Sequence, residues 1–309
     1  MSTKKKTILI VTFPQGGPFV WAQNLAKHLE QHGWEAKISA GRKNYFFDQF
    51  KRYDVVHSCV ALPFSLAKKF VLTIHGNFKE ENHRSKYFFP IAISHADAIT
   101  TPSSFLKNSL TIKNAIVIPN GIDLPEETKE SYALIGKNPT VGILTNFNFR
   151  PKADGLFQLS KIIEKISPEI KLSIGGGGQF FEEYKKRILE IHPNTQFWGY
   201  YTREELLEQF RQTDIFAYYS NLDNQPIVVL EAMAYGLPTI SNVVGSVEEV
   251  LTGEMEKYIA RTDEDYQKIL QTLLNSQSAR IANGQAAQKK AQDFSWNAIV
   301  AQFIKIYET

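Results

Sequence analysis

The chain has 309 residues, about two domains at the usual ~150 each, and its 43% hydrophobic, 22% charged and 12% aromatic composition is that of a folded protein, which excludes global disorder. No apolar run approaches the ~20 residues that span a bilayer. The lone cysteine, Cys59, excludes an internal disulfide and a cysteine-built metal site. The net charge of +3 conceals an asymmetry: residues 1–124 hold 16 Lys/Arg against 8 Asp/Glu, a net +8, and residues 125–309 hold 19 against 24, a net −5. The first half therefore either faces an anionic partner (membrane surface, phosphate or nucleic acid) or carries a solvated basic face. The basic Met1–Lys6 segment precedes ILIVTF, which is too short for the apolar region of a signal peptide, so a cytoplasmic protein is expected.

The pattern alternates between strand and helix from the start. TILIVTF reads as a buried strand, QGGP as a turn, and FVWAQNLAKHLEQHG as a helix with Phe19, Ala22, Ala26 and Leu29 at helical spacing and Gly33 at its end. EAKISA, DVVHSC, FVLTIH, DAITT and AIVIP are further short runs rich in Val and Ile, with helical stretches between several of them. Parallel strands joined by crossover helices produce this pattern. The polar segment 125–137 reads as a linker. Alternation then resumes with PTVGILTNF, a helix near 153–166, KLSIG, a helix near 179–191, TQFWG, a helix near 203–212, DIFAYYS, a helix over 227–235, and PTISN. In the tail, Ser295 is placed to cap a helix on which Trp296, Ile299, Val300, Phe303, Ile304 and Tyr307 form one apolar stripe. The sequence thus predicts an α/β protein of two Rossmann-like doubly wound domains, residues 1–124 and 138–293, with a C-terminal helix over 294–309 that packs on its own domain or crosses back to the first.

Ligands of open α/β sheets bind beyond the carboxyl ends of the strands. There, Gly16 and Gly17 of PQGGP expose backbone N–H groups at a helix start, suited to an anion or simply to a tight turn. The run Gly175–Gly178 allows close approach by a ligand or serves a turn, and it is no dinucleotide fingerprint, since no acid follows in register. His75, closing FVLTIH, is placed to bond a substrate hydroxyl or the backbone. Arg150 and Lys152 project from a loop at a strand end, where they could neutralise a diphosphate or face solvent. The richest segment is DIFAYYSNLDNQPIVVLEAMAYGLPTISNVVGSVEE. Asp223, Asn224 and Gln225 form a polar loop, Pro226 suits a first helical turn, and the N–H groups from Ile227 and Val228 onward are open to a phosphate. Glu231 follows a turn later and can turn its carboxylate toward the same ligand, as a bidentate acceptor for a ribose diol. Phosphate and diol together describe a nucleotide.

This segment resembles the E-x7-E region and the following E-A-M-A-x-G-L-P of the family 4 glycosyltransferases, a retaining group of the two-Rossmann-domain GT-B architecture. IVIPNGID resembles the family's I-P-N-G-V-D, and SHADAITTPSSFLKNSL its A-D-x-I-x-x-x-S stretch. The GGP turn, TIHG, KLSIGGGG and FWGYYTREELLEQFRQTDIF fall in the family's order, so the resemblance covers nearly the whole chain. It implies two domains facing a central cleft, with Glu231 on the donor ribose, Asp223 at the place of the family's first glutamate, Lys152 on the diphosphate, His75 on the transferred sugar and Gly16 and Gly17 near the donor phosphate. Gly176 and Tyr200 join the donor site with Asn224, Gln225, Pro226, Ile227 and Val228. The family's arginine after the V-G pair is replaced by Ile143, and Arg150 is given its role; the shorter Asp223 retracts its carboxylate.

The implied reaction moves a sugar, with retention, from a UDP- or GDP-linked donor to a glycan or lipid-linked acceptor, as in polysaccharide biosynthesis. No cofactor and no metal are implied. The basic first domain, with aromatic residues among its cations, implies peripheral contact with an anionic membrane at its inner face, and no nucleic acid. Two rivals stand beside this reading: a nucleotide-sugar 2-epimerase of the same fold, and a non-catalytic partner subunit.

Overall fold

The computed structural model describes residues 5–79 and 84–309, the side chains of residues 42, 43, 49, 84 and 85 excepted. The chain forms two compact units, Met1–Ile122 with Asp293–Thr309, and Asp123–Gln292.

The first unit is built on strands β1 (Thr7–Thr12), β2 (Glu35–Ala40), β3 (Val55–Ser58), β4 (Lys69–Thr73), β5 (Ala98–Thr101) and β6 (Ile116–Val117), all parallel in the order β2-β1-β3-β4-β5-β6. The connecting helices are α1 (Gly17–Gln31), α2 (Arg42–Asp48), α3 (Phe89–His95) and α4 (Ser104–Leu110). β1 is buried on both faces, which is why it reads as an unbroken apolar run. Its alternate residues serve two cores: Ile8 and Ile10 meet Trp21, Leu25 and Leu29 of α1, while Leu9 and Val11 meet Tyr45, Phe70, Phe89 and Leu106. The buried face of α1 runs through Trp21, Ala22, Leu25, Ala26, His28 and Leu29; Phe19, counted in the sequence pattern, is only half-buried. The order of strands reverses between β1 and β3, so the crevice of this sheet opens beside the Gly16–Gly17 turn.

The second unit contains β7 (Thr140–Leu144), β8 (Lys171–Gly175), β9 (Thr195–Gly199), β10 (Ile215–Tyr218), β11 (Thr239–Asn242) and β12 (Ile259–Ala260), again all parallel, in the order β12-β11-β10-β7-β8-β9. Counted from β7 this is the 3-2-1-4-5-6 order of the dinucleotide-binding sheet, with its switch point between β7 and β10. Its helices are α5 (Arg150–Ile166), α6 (Phe181–Ile191), α7 (Arg203–Arg211), α8 (Ile227–Tyr235), α9 (Val247–Val250), α10 (Asp263–Asn275) and α11 (Gln277–Ala291). α8 ends on Gly236 in the left-handed conformation (φ 87°), the conformation a C-terminal glycine supplies without strain. Segment 125–137 is irregular but bound to this unit. Lys129 donates from its backbone to Tyr235 O at 2.8 Å and from Nζ to Thr213 O at 2.8 Å, and Asp214 Oδ1 accepts from Ile135 N–H at 2.9 Å.

The tail helix α12 (Trp296–Glu308) belongs to the first unit. Ser295 caps it, accepting from Ala298 N–H at 3.3 Å. Its buried stripe is Trp296, Ile299, Val300, Phe303, Ile306 and Tyr307, so Ile306 takes the place that spacing gave to Ile304. Trp296 stacks on His28 (5.7 Å between centroids) and covers Gly121, where an added Cβ would lie 2.5 Å from the indole. Backbone bonds from Ile122 N–H to Phe294 O (2.9 Å) and Trp296 N–H to Ile122 O (3.0 Å) fasten the two ends of the unit together.

Candidate functional site

The switch point of the second sheet brings two predicted residues into contact. Lys152, in the first turn of α5 after β7, donates to Asp223 Oδ2 at 2.6 Å across the loop that follows β10, and both side chains are largely buried. Tyr218 donates its hydroxyl to the same oxygen, and Asp223 Oδ1 accepts from Asn224 N–H at 2.8 Å. Close packing holds the two turns together: a Cβ on Gly155 would lie 2.6 Å from Ser220 Cα, and one on Gly245 would lie 2.4 Å from Asp223 O. Asp223 thus spends its carboxylate on Lys152, Tyr218 and its own loop.

Arg150 does not share this arrangement. Its Nη1 and Nη2 reach the two carboxylate oxygens of Glu183 on α6, each at 3.0 Å, and its guanidinium lies over Phe180 at 4.5 Å. In this structure a bidentate acid and an aromatic face take the charge of Arg150, apart from the Lys152–Asp223 pair. Ile143, at the arginine's position, is buried in β7.

Helix α8 starts at the far side of the same loop. Pro226 is its N-cap, without a side-chain cap bond, so the N–H groups of the first turn have no side-chain acceptor from the cap. Gln225 is buried, Val228 half-buried and Ile227 exposed. Glu231 is the one charged residue among the nine of α8, whose other members are apolar and mostly buried. Its Oε1 accepts from Arg203 Nη1 at 3.1 Å. Burial pushes the carboxyl up to about 7, against the opposing pull of Arg203 and with a further push from Asp123. Sequence reasoning missed Arg203 and Tyr218. A signal for Arg203 existed: it is a cation in a first helical turn, where the dipole favours acids.

The glycines after β8 are explained by protein packing. A Cβ on Gly176 (φ 122°) would lie 1.8 Å from Thr145 O, and one on Gly178 would lie 2.4 Å from Asn148 N. Gly177 lies under the ring of Tyr200, which is exposed. The run therefore seats the β8 turn on the β7 turn, and its composition is no evidence of a ligand at Gly176.

In the first unit, Gly16 (φ 86°) and Gly17 are exposed at the N-terminus of α1, with open space where each Cβ would stand. His75 follows β4, edge-on to Trp21 at 4.8 Å, and burial lowers it to about 4, so it is a neutral imidazole at physiological pH. Among the described residues no group of three or more His, Cys, Asp or Glu is placed to hold a metal ion.

Two parallel doubly wound sheets, one in each unit, define the class of two-Rossmann-domain proteins. The family model described as glycosyl transferases group 1 matches residues 125–290, and that described as Glycosyltransferase Family 4 matches residues 41–126. The chain belongs to this family of GT-B glycosyltransferases. It is 25% identical over 278 residues to an uncharacterized glycosyltransferase of Methanocaldococcus jannaschii, covering 82% of this chain and 75% of that one. It is 26% identical over 145 residues to the sulfoquinovosyl transferase of Arabidopsis thaliana, covering 45% of this chain and only 28% of the plant protein's length. An Anabaena protein, HepE, solved in complex with UDP-glucose, superposes with a TM-score of 0.78 at 16% identity, covering 98% and 99% of the two chains.

Proposed function

We propose that the protein moves a sugar from a nucleotide diphosphate sugar, UDP- or GDP-linked, to an acceptor with retention at the anomeric carbon. The observation that carries this reading is the convergence of Lys152 and Asp223 at the switch point, on the loop leading into the helix that bears Glu231. Lys152 and the first turn of α8 would meet the diphosphate, and Glu231 the ribose diol. In the reaction the bond from the anomeric carbon to the diphosphate oxygen breaks and one to the acceptor oxygen forms. The acceptor's proton passes to the departing phosphate, so no protein nucleophile is required. The charge that grows on the leaving group is what Lys152 and the helix end stabilise. His75, neutral, donates or accepts a hydrogen bond from a sugar hydroxyl; Gly16 and Gly17 are assigned to the donor phosphate by resemblance alone.

For the acceptor we propose a lipid-linked glycan reached at an anionic membrane surface. Phe46, Phe47 and Phe50 are 53%, 73% and 62% exposed; Phe46 meets each of the other two edge-on and, with Phe64 and Phe88, walls a cavity of about 190 Å³. Lys51 and Arg52 follow them, and Lys86 lies over Tyr87. Arg42, Lys43 and Arg84, also read as part of this face, have side chains outside the described residues. Rings of this kind suit a headgroup boundary, and cations its phosphates. No helix among the described residues is long and apolar enough to cross a membrane.

The test is a donor panel with and without lipid-linked acceptor. Transfer releases nucleoside diphosphate in proportion to acceptor. Epimerised donor with no diphosphate released would overturn the transfer reading, and so would donor left intact in every combination.

A further inference from the structure

Arg203 is expensive where it stands. Helix α7 is already closed by a capping box, with Thr202 Oγ1 accepting from Glu205 N–H at 3.2 Å and Glu205 Oε2 from Thr202 N–H at 2.7 Å. Glu204 and Glu205 already complement the dipole of this turn, and a cation beside them opposes it. The helix gains nothing from the guanidinium, which is turned away to other elements. Nη1 donates to Glu231 Oε1 on α8, and Nη2 to the carbonyl of Asp123, both at 3.1 Å. The two bonds hold the guanidinium between Asp123 and Glu231 and engage one oxygen of the carboxylate, leaving the other open.

We propose that Arg203 is a positioning residue for the nucleotide: it keeps the Glu231 carboxylate charged and turned to accept the two ribose hydroxyls. The proposal rests on the reading of Glu231 as the diol acceptor. An ionised carboxylate accepts at both oxygens, whereas a protonated one spends an oxygen as a donor and cannot take a diol in the same way. The choice between the two states is close at this site. Burial favours the protonated form, and so does the neighbouring charge of Asp123. Tyr201, whose hydroxyl is pushed up to about 12 by burial and then by Glu231 itself, stays neutral and offers no positive charge. Arg203 pulls the other way and favours the carboxylate. With it, the carboxyl lies near 7; its removal leaves burial and Asp123 unopposed by it and moves the group further toward the protonated form.

Two measurements on the full chain separate this proposal from the reading beneath it. The first needs no ligand: the carboxyl carbon of Glu231 is titrated by NMR in the free protein, its signal assigned by its loss in Glu231→Gln. Arg203→Gln should raise the midpoint by about one pH unit, a tenfold change in the ionisation equilibrium, and Arg203→Lys should return it toward the wild-type value. An unchanged midpoint in Arg203→Gln would overturn the proposal while leaving the nucleotide reading intact. The second is calorimetric binding of the tighter of UDP-glucose and GDP-mannose between pH 6 and 9. Arg203→Gln should bind about fivefold more weakly at pH 7, as the ionised fraction falls from about a half to about a tenth, and recover most of that loss at pH 9, while Glu231→Gln stays weak at every pH. Wild-type binding by Glu231→Gln would sink the diol reading, and with it the positioning role. Loss of binding in Arg203→Gln that ignores pH would also contradict the proposal, since it would mark Arg203 as a ligand contact.

Discussion

A single carboxylate inside an apolar helix is costly, and the cost has a sign that can be measured. Glu231 titrates near 7 in the folded chain, above its ordinary value of 4.5, because burial disfavours its charge. The folded state therefore holds this proton more tightly than the unfolded state, and stability falls as pH rises from about 4.5 through about 7. Glu231→Gln should then be more stable than the wild type at pH 8 by on the order of 1–3 kcal/mol, and equally stable near pH 4. Melting curves of both proteins at the two pH values check this; a less stable Gln variant at pH 8 would mean that the carboxylate is held for structure rather than for a ligand. Wild-type affinity for a nucleotide sugar, whose diphosphate does not titrate in this window, should rise with pH through the same range. Lys152 and Arg150 differ in the same concrete way. Lys152 meets Asp223 at the switch point and Arg150 is clamped by Glu183, so Lys152→Ala should slow turnover by a factor of ten or more and Arg150→Ala by less than threefold, about 1.4 kcal/mol being a tenfold change in rate. Initial rates with the two variants decide it, and equal slowing by both would return Arg150 to the diphosphate.

At the scale of the element, what the sequence shows depends on what a pattern can encode. β8 and α8 coincide with the spans their apolar runs predict, because a parallel strand buried on both faces and a helix bounded by Pro226 and Gly236 leave clear edges; β9 also falls on its predicted span, although as the edge strand it is only half-buried. β12 is two residues long, too short for any periodicity. Glycine is the ambiguous case. The residue type marks a need for space, and the sequence cannot say whether a ligand or the protein fills it. Gly176 is filled by Thr145, and Gly121 of the IPNGID stretch by Trp296 of the returning tail, a contact between residues 175 positions apart that no local pattern carries. A methyl at Gly121 would collide with the indole, so Gly121→Ala should destabilise the first unit by about 1–3 kcal/mol. Denaturant midpoints measure this; a wild-type midpoint would show that α12 can be displaced without cost. The partners of Arg150 and Arg203 were hidden for the same reason. Glu183 and Glu231 lie 33 and 28 residues away, and only the folded sheet brings them close.

For the whole molecule, the charge division read from the sequence coincides with the structural one. The first unit, with its returned tail, carries 17 Lys/Arg against 9 Asp/Glu and the second 18 against 23, a net +8 and −5. A surface of that sign with exposed phenylalanines should bind vesicles containing anionic lipid, weaken as salt shortens the Debye length, and ignore neutral vesicles. Phe47→Ser and Phe50→Ser should weaken binding without altering donor affinity. Sedimentation at low and high salt tests this, and binding indifferent to lipid charge would refute the electrostatic part. The family was legible because the segment from Asp223 to Pro238 combines loop, helix start, lone acid and cap in one stretch, and the same stretch supplied the proposed donor side of the site. The acceptor side was not legible, since aromatic residues read alike whether they fill a core, as Tyr45 and Phe89 do, or face solvent, as Phe47 does. The central claim is that the second unit holds a nucleotide through Glu231. Calorimetry at pH 8 with UDP-glucose and GDP-mannose, on the wild type and Glu231→Gln, tests it most directly. The account predicts binding of at least one donor by the wild type and a loss of about 1.5–3 kcal/mol in the variant, with its fold intact; equal affinity of the two proteins for every donor would contradict it.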